Sequence, residues 1–326
     1  NGIMASEDSI TITTGCQQSL DLIRRILISP GDSLLLENPT YPGAVGALAP
    51  ASSGRMELPI REDGPDLRAL GQLAAHDRCK LLYLVPNFHN PTGQTISLEA
   101  RRQIVAICDA RGLPIVEDDV FGELRYEGPS LPSLKALCPH LVIYVGSFSK
   151  MLGPGLRLGW VVAPRPVADQ LHAVKQSSDL HTNMLMQAAM DEFCRRGLLH
   201  RHLKRIRRVF RNRRDAMTEA LREWLPSDAT WKVPQGGLSM WVTLPPEWNT
   251  DDLLRLSQSR GIQFIPGSAF YFRSLRFHSL RLSFASEREE KIREGIRTLG
   301  QIIESRRPRS FPIGQWSQGE RSRPIV

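Results

Sequence analysis

The chain has 326 residues, 41% of them hydrophobic and 23% charged, with a formal net charge of +8. That length predicts about two domains whose cores need no disulfide or metal staple, and the composition excludes fibrous and disordered classes. No run reaches the roughly 18 apolar residues of a membrane span, and the positive charge favours anionic ligands, phosphates included, without bearing on fold.

The chain begins Asn1-Gly2-Ile3, with neither an initiator methionine nor an apolar leader, so a fragment is expected. Residues 10–13 predict a strand, and Gly15-Cys16-Gln17-Gln18 then opens a helix with an apolar stripe at Leu20, Ile23, Ile26 and Leu27. A strand, turn and helix in this order aim free backbone N–H groups at an anion, although a plain tight turn has the same pattern. Pro30-Gly31-Asp32 marks a turn before a strand at 33–37, which ends in the loop Asn38-Pro39-Thr40-Tyr41-Pro42-Gly43. Tyr41 there either packs locally or lays its flat face on an aromatic ligand.

After a strand at 55–60 and a helix at 66–75, the apolar strand 80–85 runs into Pro86-Asn87-Phe88-His89-Asn90-Pro91-Thr92-Gly93. So much proline, glycine and asparagine fixes a rigid loop. An Asn-Pro bond there is open to the cis form. Asn90 either offers its amide for directional hydrogen bonding or stabilises the turn. Ser97 caps a helix to about residue 111. The strand at 113–116 ends in Glu117-Asp118-Asp119, either a solvated corner or a site.

The strand 141–145 delivers Gly146-Ser147-Phe148-Ser149-Lys150. An amine is thereby placed at the carboxyl edge of the sheet, where open α/β proteins bind ligands. Desolvation and nearby cations can lower a lysine from about 10.4 toward neutrality, which suits it to Schiff-base chemistry. A glycine-broken loop then carries Arg157 into a strand at 158–163.

Helices follow at 166–178, 183–196 and 199–224. The last has an apolar stripe at Leu203, Ile206, Phe210, Met217, Leu221 and Trp224. Its opposite face holds Arg201, Lys204, Arg205, Arg207, Arg208, Arg211, Arg213 and Arg214. A solvated face is favoured over a nucleic-acid surface, because no aromatic platform for bases is interleaved. Strands at 231–233, 238–244, 262–265 and 279–284, with helices at 251–259 and 287–303, read as a separate α+β domain. The tail 306–326 reads as disordered. Five widely spaced cysteines, with no CxxC pair and no histidine at ligand spacing, predict reduced thiols, a cytoplasmic protein and no metal.

Alternating strands and helices across 10–163 predict an α/β fold with a mostly parallel sheet. The domains expected are 1–195, large and ligand-binding, and 196–305, small. The candidate site residues all fall at strand carboxyl ends and share one chemical logic. A lysine joins a cofactor aldehyde, an acid keeps a ring nitrogen protonated, an amide bonds a ring oxygen, an aromatic face stacks, and a helix N-terminus with hydroxyls and an arginine holds a phosphate. Those are the fittings of pyridoxal 5'-phosphate.

At this point the chain resembles the fold type I, class I/II aminotransferases. The resemblance rests on TGCQQ at 14–18, NPTYPG at 38–43, NPTG at 90–93, EDD at 117–119, SFSK at 147–150, GLRLG at 155–159 and LRLSF at 280–284. Within the family the wording is similar to the aminotransferase-like domain of MocR-type GntR regulators and to the aminoadipate and kynurenine aminotransferases. The resemblance implies that Lys150 binds the cofactor covalently and shuttles the substrate proton. It further implies that Asp118 pairs with the ring nitrogen, Asn90 bonds the ring hydroxyl and Tyr41 stacks. Cys16, Gln17, Ser147, Ser149 and Arg157 would hold the phosphate, and Arg281 would clamp the substrate carboxylate.

The pattern is departed from in three places. Phe121 stands where the family usually has a tyrosine that also bonds the ring hydroxyl, Cys16 stands where serine is common, and the family's N-terminal arm is expected to be missing. The function implied is transfer of an amino group from an L-amino acid to a 2-oxo acid by a homodimer. The alternative is the effector-binding domain of a regulator, with DNA contacted only through a winged helix-turn-helix lying upstream.

Overall fold

The computed structural model describes residues 2–49, 52–272 and 276–306. Most of the expected tail, residues 307–326, lies outside them. Two sheets organise the chain. The larger has eight strands in the order β1-β8-β7-β6-β5-β2-β3-β4. They are β1 (Ile10–Thr13), β2 (Ser33–Asn38), β3 (Gly54–Arg61), β4 (Gly64–Pro65), β5 (Cys79–Leu84), β6 (Ile115–Asp118), β7 (Val142–Ser147) and β8 (Gly159–Val162). Its centre, from β3 through β2, β5 and β6 to β7, is parallel. The glycine-broken loop returns β8 antiparallel to β7, and β1 pairs antiparallel with β8, so β1 again runs with β7.

Parallel strands buried on both faces read as continuous apolar runs, and alternate residues feed opposite cores. Leu34, Leu36, Leu81, Tyr83, Val116, Ile143 and Val145 lie in one cluster, while Leu35, Leu82, Leu84, Ile115 and Val142 lie in the other. The first is covered by α1 (Cys16–Leu27), α2 (Pro42–Leu48) and α6 (Arg165–Asp179). The second is covered by α3 (Leu67–Leu73), α4 (Leu98–Asp109) and the short α5 (Leu134–Leu137). Asp66, Ser97 and Ser133 cap α3, α4 and α5 by accepting a backbone N–H.

Beyond α7 (Met184–Arg195) and the long α8 (Leu198–Trp224), four strands form the smaller sheet in the order β11-β12-β10-β9. These are β9 (Thr230–Trp231), β10 (Ser239–Thr243), β11 (Ile265–Pro266) and β12 (Ser279–Ser283), with α9 (Thr250–Gln258) and α10 (Glu289–Arg306) completing the set. Met217, Leu221, Met240, Leu280, Ile296 and Leu299 make a core of their own here. Among the described residues no helix is long and apolar enough to cross a membrane.

Several expectations shift. The loop 38–43 runs into a helix, because Pro42 can occupy a first turn whose N–H groups need no intrahelical partner. The strand expected at 113–116 moves to Ile115–Asp118 and takes two of the three acids with it. The strand expected at 262–265 shrinks and shifts to Ile265–Pro266, paired with β12, and Arg306 ends α10 instead of opening the tail.

The basic face of α8 is less solvated than its spacing implies. Arg214 is buried, with Glu127, Asp215 and the Pro234 carbonyl as its acceptors. Arg207 and Arg211 pair with Glu123 and Glu127, and Arg213 donates to the Ala285 carbonyl. These arginines dock α8 onto neighbouring segments.

Candidate active site

The carboxyl ends of β2, β5, β6 and β7 open into a cavity of about 680 Å³ including its mouth. Cys16, Gln17, Tyr41, Asn90, Asp118, Ser147, Ser149, Lys150 and Arg157 all line it. Arg281 is absent from the wall but joins it through Asn90. Tyr83, Val85, Val120, Phe121 and Pro154 line it too.

One end is fitted for an anion. Gly15 caps α1 at φ +82°, so the N–H groups of Cys16 and Gln17 precede the first intrahelical acceptor, the Gly15 carbonyl taken by Gln18. A side chain at Gly15 would also collide with Arg157, whose guanidinium lies 2.7 Å from the position of a Cβ and donates to the Thr14 carbonyl at 3.1 Å. Arg157 itself sits at φ +49°, an uncommon conformation for a residue with a side chain. The Ser147 hydroxyl donates to the Leu158 carbonyl and accepts the Ser149 N–H, which fixes the turn that presents Ser149 and Lys150.

The other end is a buried acid. Residues 115–118 alternate across the sheet, so Asp118 points to the same face as Tyr83 on the neighbouring strand while Glu117 points to the opposite one. Tyr83 Oη donates to Asp118 Oδ2 at 2.8 Å, and Cys16 Sγ donates to the same oxygen at 3.5 Å. Asp118 Oδ1 is buried without a protein partner. Burial holds the Asp118 carboxyl above its ordinary range, against the lowering effect of Tyr83, Cys16, the Val120 N–H and Lys150. An orphaned buried acceptor facing a cavity calls for an N–H donor from a ligand.

The flanking acids are neither solvated nor in the site. Glu117 accepts the Leu134 and Lys135 N–H groups at the start of α5, and burial together with Asp119 pushes its carboxyl up to about 8. Asp119 holds Asn87 at 2.7 Å and accepts from Tyr144, with its own carboxyl raised to about 6 by burial. Asn87 in turn accepts from the fully buried Arg101. This network sits beneath the loop that carries Asn90.

Both Asn38-Pro39 and Asn90-Pro91 are cis. Asn90 Oδ1 accepts from Arg281 Nη1 at 2.6 Å, which leaves the two N–H groups of its amide for another acceptor. The Arg281 guanidinium lies 5.1 Å over the Phe270 ring, itself edge-on to Trp241, and its buried Nε is unpartnered. Tyr41 folds back over Gly43, where any Cβ would stand 2.3 Å from the ring. Lys150 faces the open cavity with Nζ 5.9 Å from the centre of the Phe121 ring. Crowding by the protein, then Arg281, lowers its pKa from the ordinary lysine value.

These fittings at the carboxyl edge of a mostly parallel sheet define a pyridoxal-phosphate protein of fold type I. Residues 3–299 match the family Aminotransferase class I and II. The 2-aminoadipate transaminase of Thermus thermophilus is 39% identical over 300 residues, which cover 91% of this chain and 75% of that protein. The crystal structure of Pyrococcus horikoshii kynurenine aminotransferase matches with a TM-score of 0.88 at 36% identity, over 92% of this chain and 76% of that one. YdfD, an uncharacterized HTH-type transcriptional regulator of Bacillus subtilis, is 34% identical over 93% of this chain but only 62% of its own length. The chain belongs to the class I and II aminotransferases, and its cofactor is pyridoxal 5'-phosphate.

Tyr83, with the wall residues Val85, Val120 and Pro154, is what sequence reasoning missed. A tyrosine inside a buried strand is ordinary core, and only strand parity combined with the β5–β6 pairing links it to Asp118.

Proposed function

We propose that the chain transfers the amino group of an L-amino acid to a 2-oxo acid through the side chains assembled around this cavity. The observation that carries this reading is the unpartnered Oδ1 of buried Asp118 in the same cavity as the Lys150 amine. When bound, pyridoxal phosphate supplies an aldehyde and an electron-withdrawing ring able to delocalise charge from the substrate α-carbon. Asp118 Oδ1 accepts the ring N–H and keeps that proton in place, while Tyr83 and Cys16 fix the other oxygen. The Asn90 amide donates to the ring oxygen. Tyr41 would pack against the ring, and Val85, Val120 and Phe121 in the same wall would keep water from it. The first turn of α1, with Ser147, Ser149 and Arg157, holds the phosphate. Lys150 Nζ, on the cavity wall and lowered in pKa, would bind the cofactor aldehyde and take up the proton of the substrate α-carbon. Arg281 offers its unpartnered Nε and remaining N–H groups to the substrate carboxylate. With Phe121 in the wall, no phenol at that position shares the ring oxygen with Asn90.

The proposed division places 1–195 around the larger sheet and 196–305 around the smaller, in keeping with their separate apolar clusters. Exposed Leu180, Met184 and Leu185 beside half-exposed Ile12 support a homodimer, which sedimentation would read as twice the chain mass. A second reading, an amine-sensing module of a regulator, is favoured by the similarity to YdfD.

Adding pyridoxal phosphate, then 2-aminoadipate or an aromatic amino acid, separates the two. The first reading expects release of the matching 2-oxo acid and the absorbance change of an aminated cofactor. A bound amine with no oxo acid released supports the second. If the rate of cofactor attachment is followed against pH, its midpoint is expected below the ordinary lysine pKa, because a lowered pKa leaves more free amine near neutrality. The Arg281→Ala variant is expected to move that midpoint upward. A wild-type midpoint at or above that of free lysine would contradict the assignment.

A further inference from the structure

We propose that Asp109, Cys138 and His140 form a binding site for a divalent transition metal, of zinc type, at the edge of the large sheet opposite the cofactor cavity. Asp109 ends α4 and Cys138 follows α5. The segments after these helices lead into β6 and β7, which are neighbours, so the three side chains meet at the amino ends of the parallel strands. Their ligand atoms all lie within 4.8 Å of one another. His140 Nε2 is 2.7 Å from Asp109 Oδ1, and Cys138 Sγ is 3.8 Å from each imidazole nitrogen.

Metal–ligand bonds of about 2.0–2.3 Å place two ligands of a tetrahedral centre roughly 3.3–3.7 Å apart. One ion therefore requires the widest gap to close by about 1 Å and the 2.7 Å His140–Asp109 hydrogen bond to open by about 0.6 Å. The side chains able to move are the exposed ones, His140 at 69% and Asp109 at 51%, while the thiol is anchored by burial. Thiolate, imidazole and carboxylate are the donor set of zinc, and water completes the fourth position. The thiol proton passes to solvent as the sulfur binds. Asp109 also stands in the last turn of α4, where the negative end of the helix disfavours a carboxylate and favours a cation beside it. Lys135 bears on the thiol as well, but its amine is engaged by the Pro139 and Val142 carbonyls. The plain alternative is an exposed His140–Asp109 ion pair, which contributes little by itself. Cys138 and His140 stand only two apart in sequence, too close to register as ligand spacing.

The test is zinc titration of the metal-stripped chain against a chromophoric chelator, together with cobalt(II) spectra. One zinc per chain is expected, and cobalt is expected to show a sulfur-to-metal charge-transfer band with intense tetrahedral visible bands. Cys138→Ser should abolish the charge-transfer band. His140→Ala and Asp109→Asn, at exposed positions that leave the fold intact, should each weaken zinc binding by more than the roughly 10–100-fold seen for losing an outer partner of a metal. Cys194→Ser, which removes the exposed thiol, should change neither reading. No stoichiometric binding, or binding indifferent to all three substitutions, overturns the site. Neither result touches the aminotransferase assignment.

Discussion

Lys150→Ala is expected to leave a folded chain that takes up pyridoxal phosphate only reversibly and no longer moves amino groups. The loss in turnover should be roughly five to six orders of magnitude, the scale seen when a covalent nucleophile is deleted from an enzyme that otherwise keeps its binding groups. Two measurements separate chemistry from folding. Borohydride treatment followed by mass analysis should attach the cofactor at Lys150 in the wild type and attach none in the variant. Equilibrium dialysis should still detect the cofactor on the variant, because Asp118, Asn90, Arg157 and the first turn of α1 all remain. Continued covalent attachment in the variant would show that another amine is used and would remove Lys150 from the mechanism.

Asp118→Asn is expected to lower turnover by about a hundred- to a thousandfold, comparable with losing one preorganised electrostatic partner of a transition state. The amide can still face the ring nitrogen but no longer supplies the negative charge that keeps a proton there. The same change is expected to stabilise the cofactor-free chain as pH rises. The folded pKa of Asp118 is raised above its unfolded value, chiefly by burial, so the folded state binds the proton more tightly. That contribution favours folding at low pH and is lost as pH climbs through the folded pKa. Asparagine does not titrate, so the melting temperature of the variant should gain on the wild type with increasing pH. A companion variant, Tyr83→Phe, removes the O–H donor from Oδ2 and should weaken cofactor binding by about tenfold, the low end for a hydrogen bond to a charged group. Cofactor affinity unchanged in Tyr83→Phe would mean that the phenol only packs.

The parts of this site legible in the sequence are those where an apolar run breaks into polar or special residues. Lys150, Asn90 and Tyr41 each follow a strand and Asp118 ends one, and a sheet whose central strands are parallel gathers all their carboxyl ends on one edge. What stayed hidden depends on partners far away along the chain. Tyr83 meets Asp118 across 35 positions, and Arg214 is buried because Glu127 lies 87 positions away. The run Glu117-Asp118-Asp119 reads as three similar acids, yet strand alternation and the start of α5 give each a different task. The helix α2 was masked because proline and glycine signal a turn as readily as a helix start.

Asn90 has a consequence for how this protein reports on what it holds. Its oxygen is taken by a guanidinium from the small sheet, while its nitrogen, in the proposed role, would meet the vitamin's ring. If both proposed roles hold, the group that greets the reactant's acid end and the one that steadies the chromophore are a single hinge of two side chains. Any carboxylate drawing on Arg281 tugs on the amide as well, so even an inert acid that cannot react should tint the holoenzyme differently.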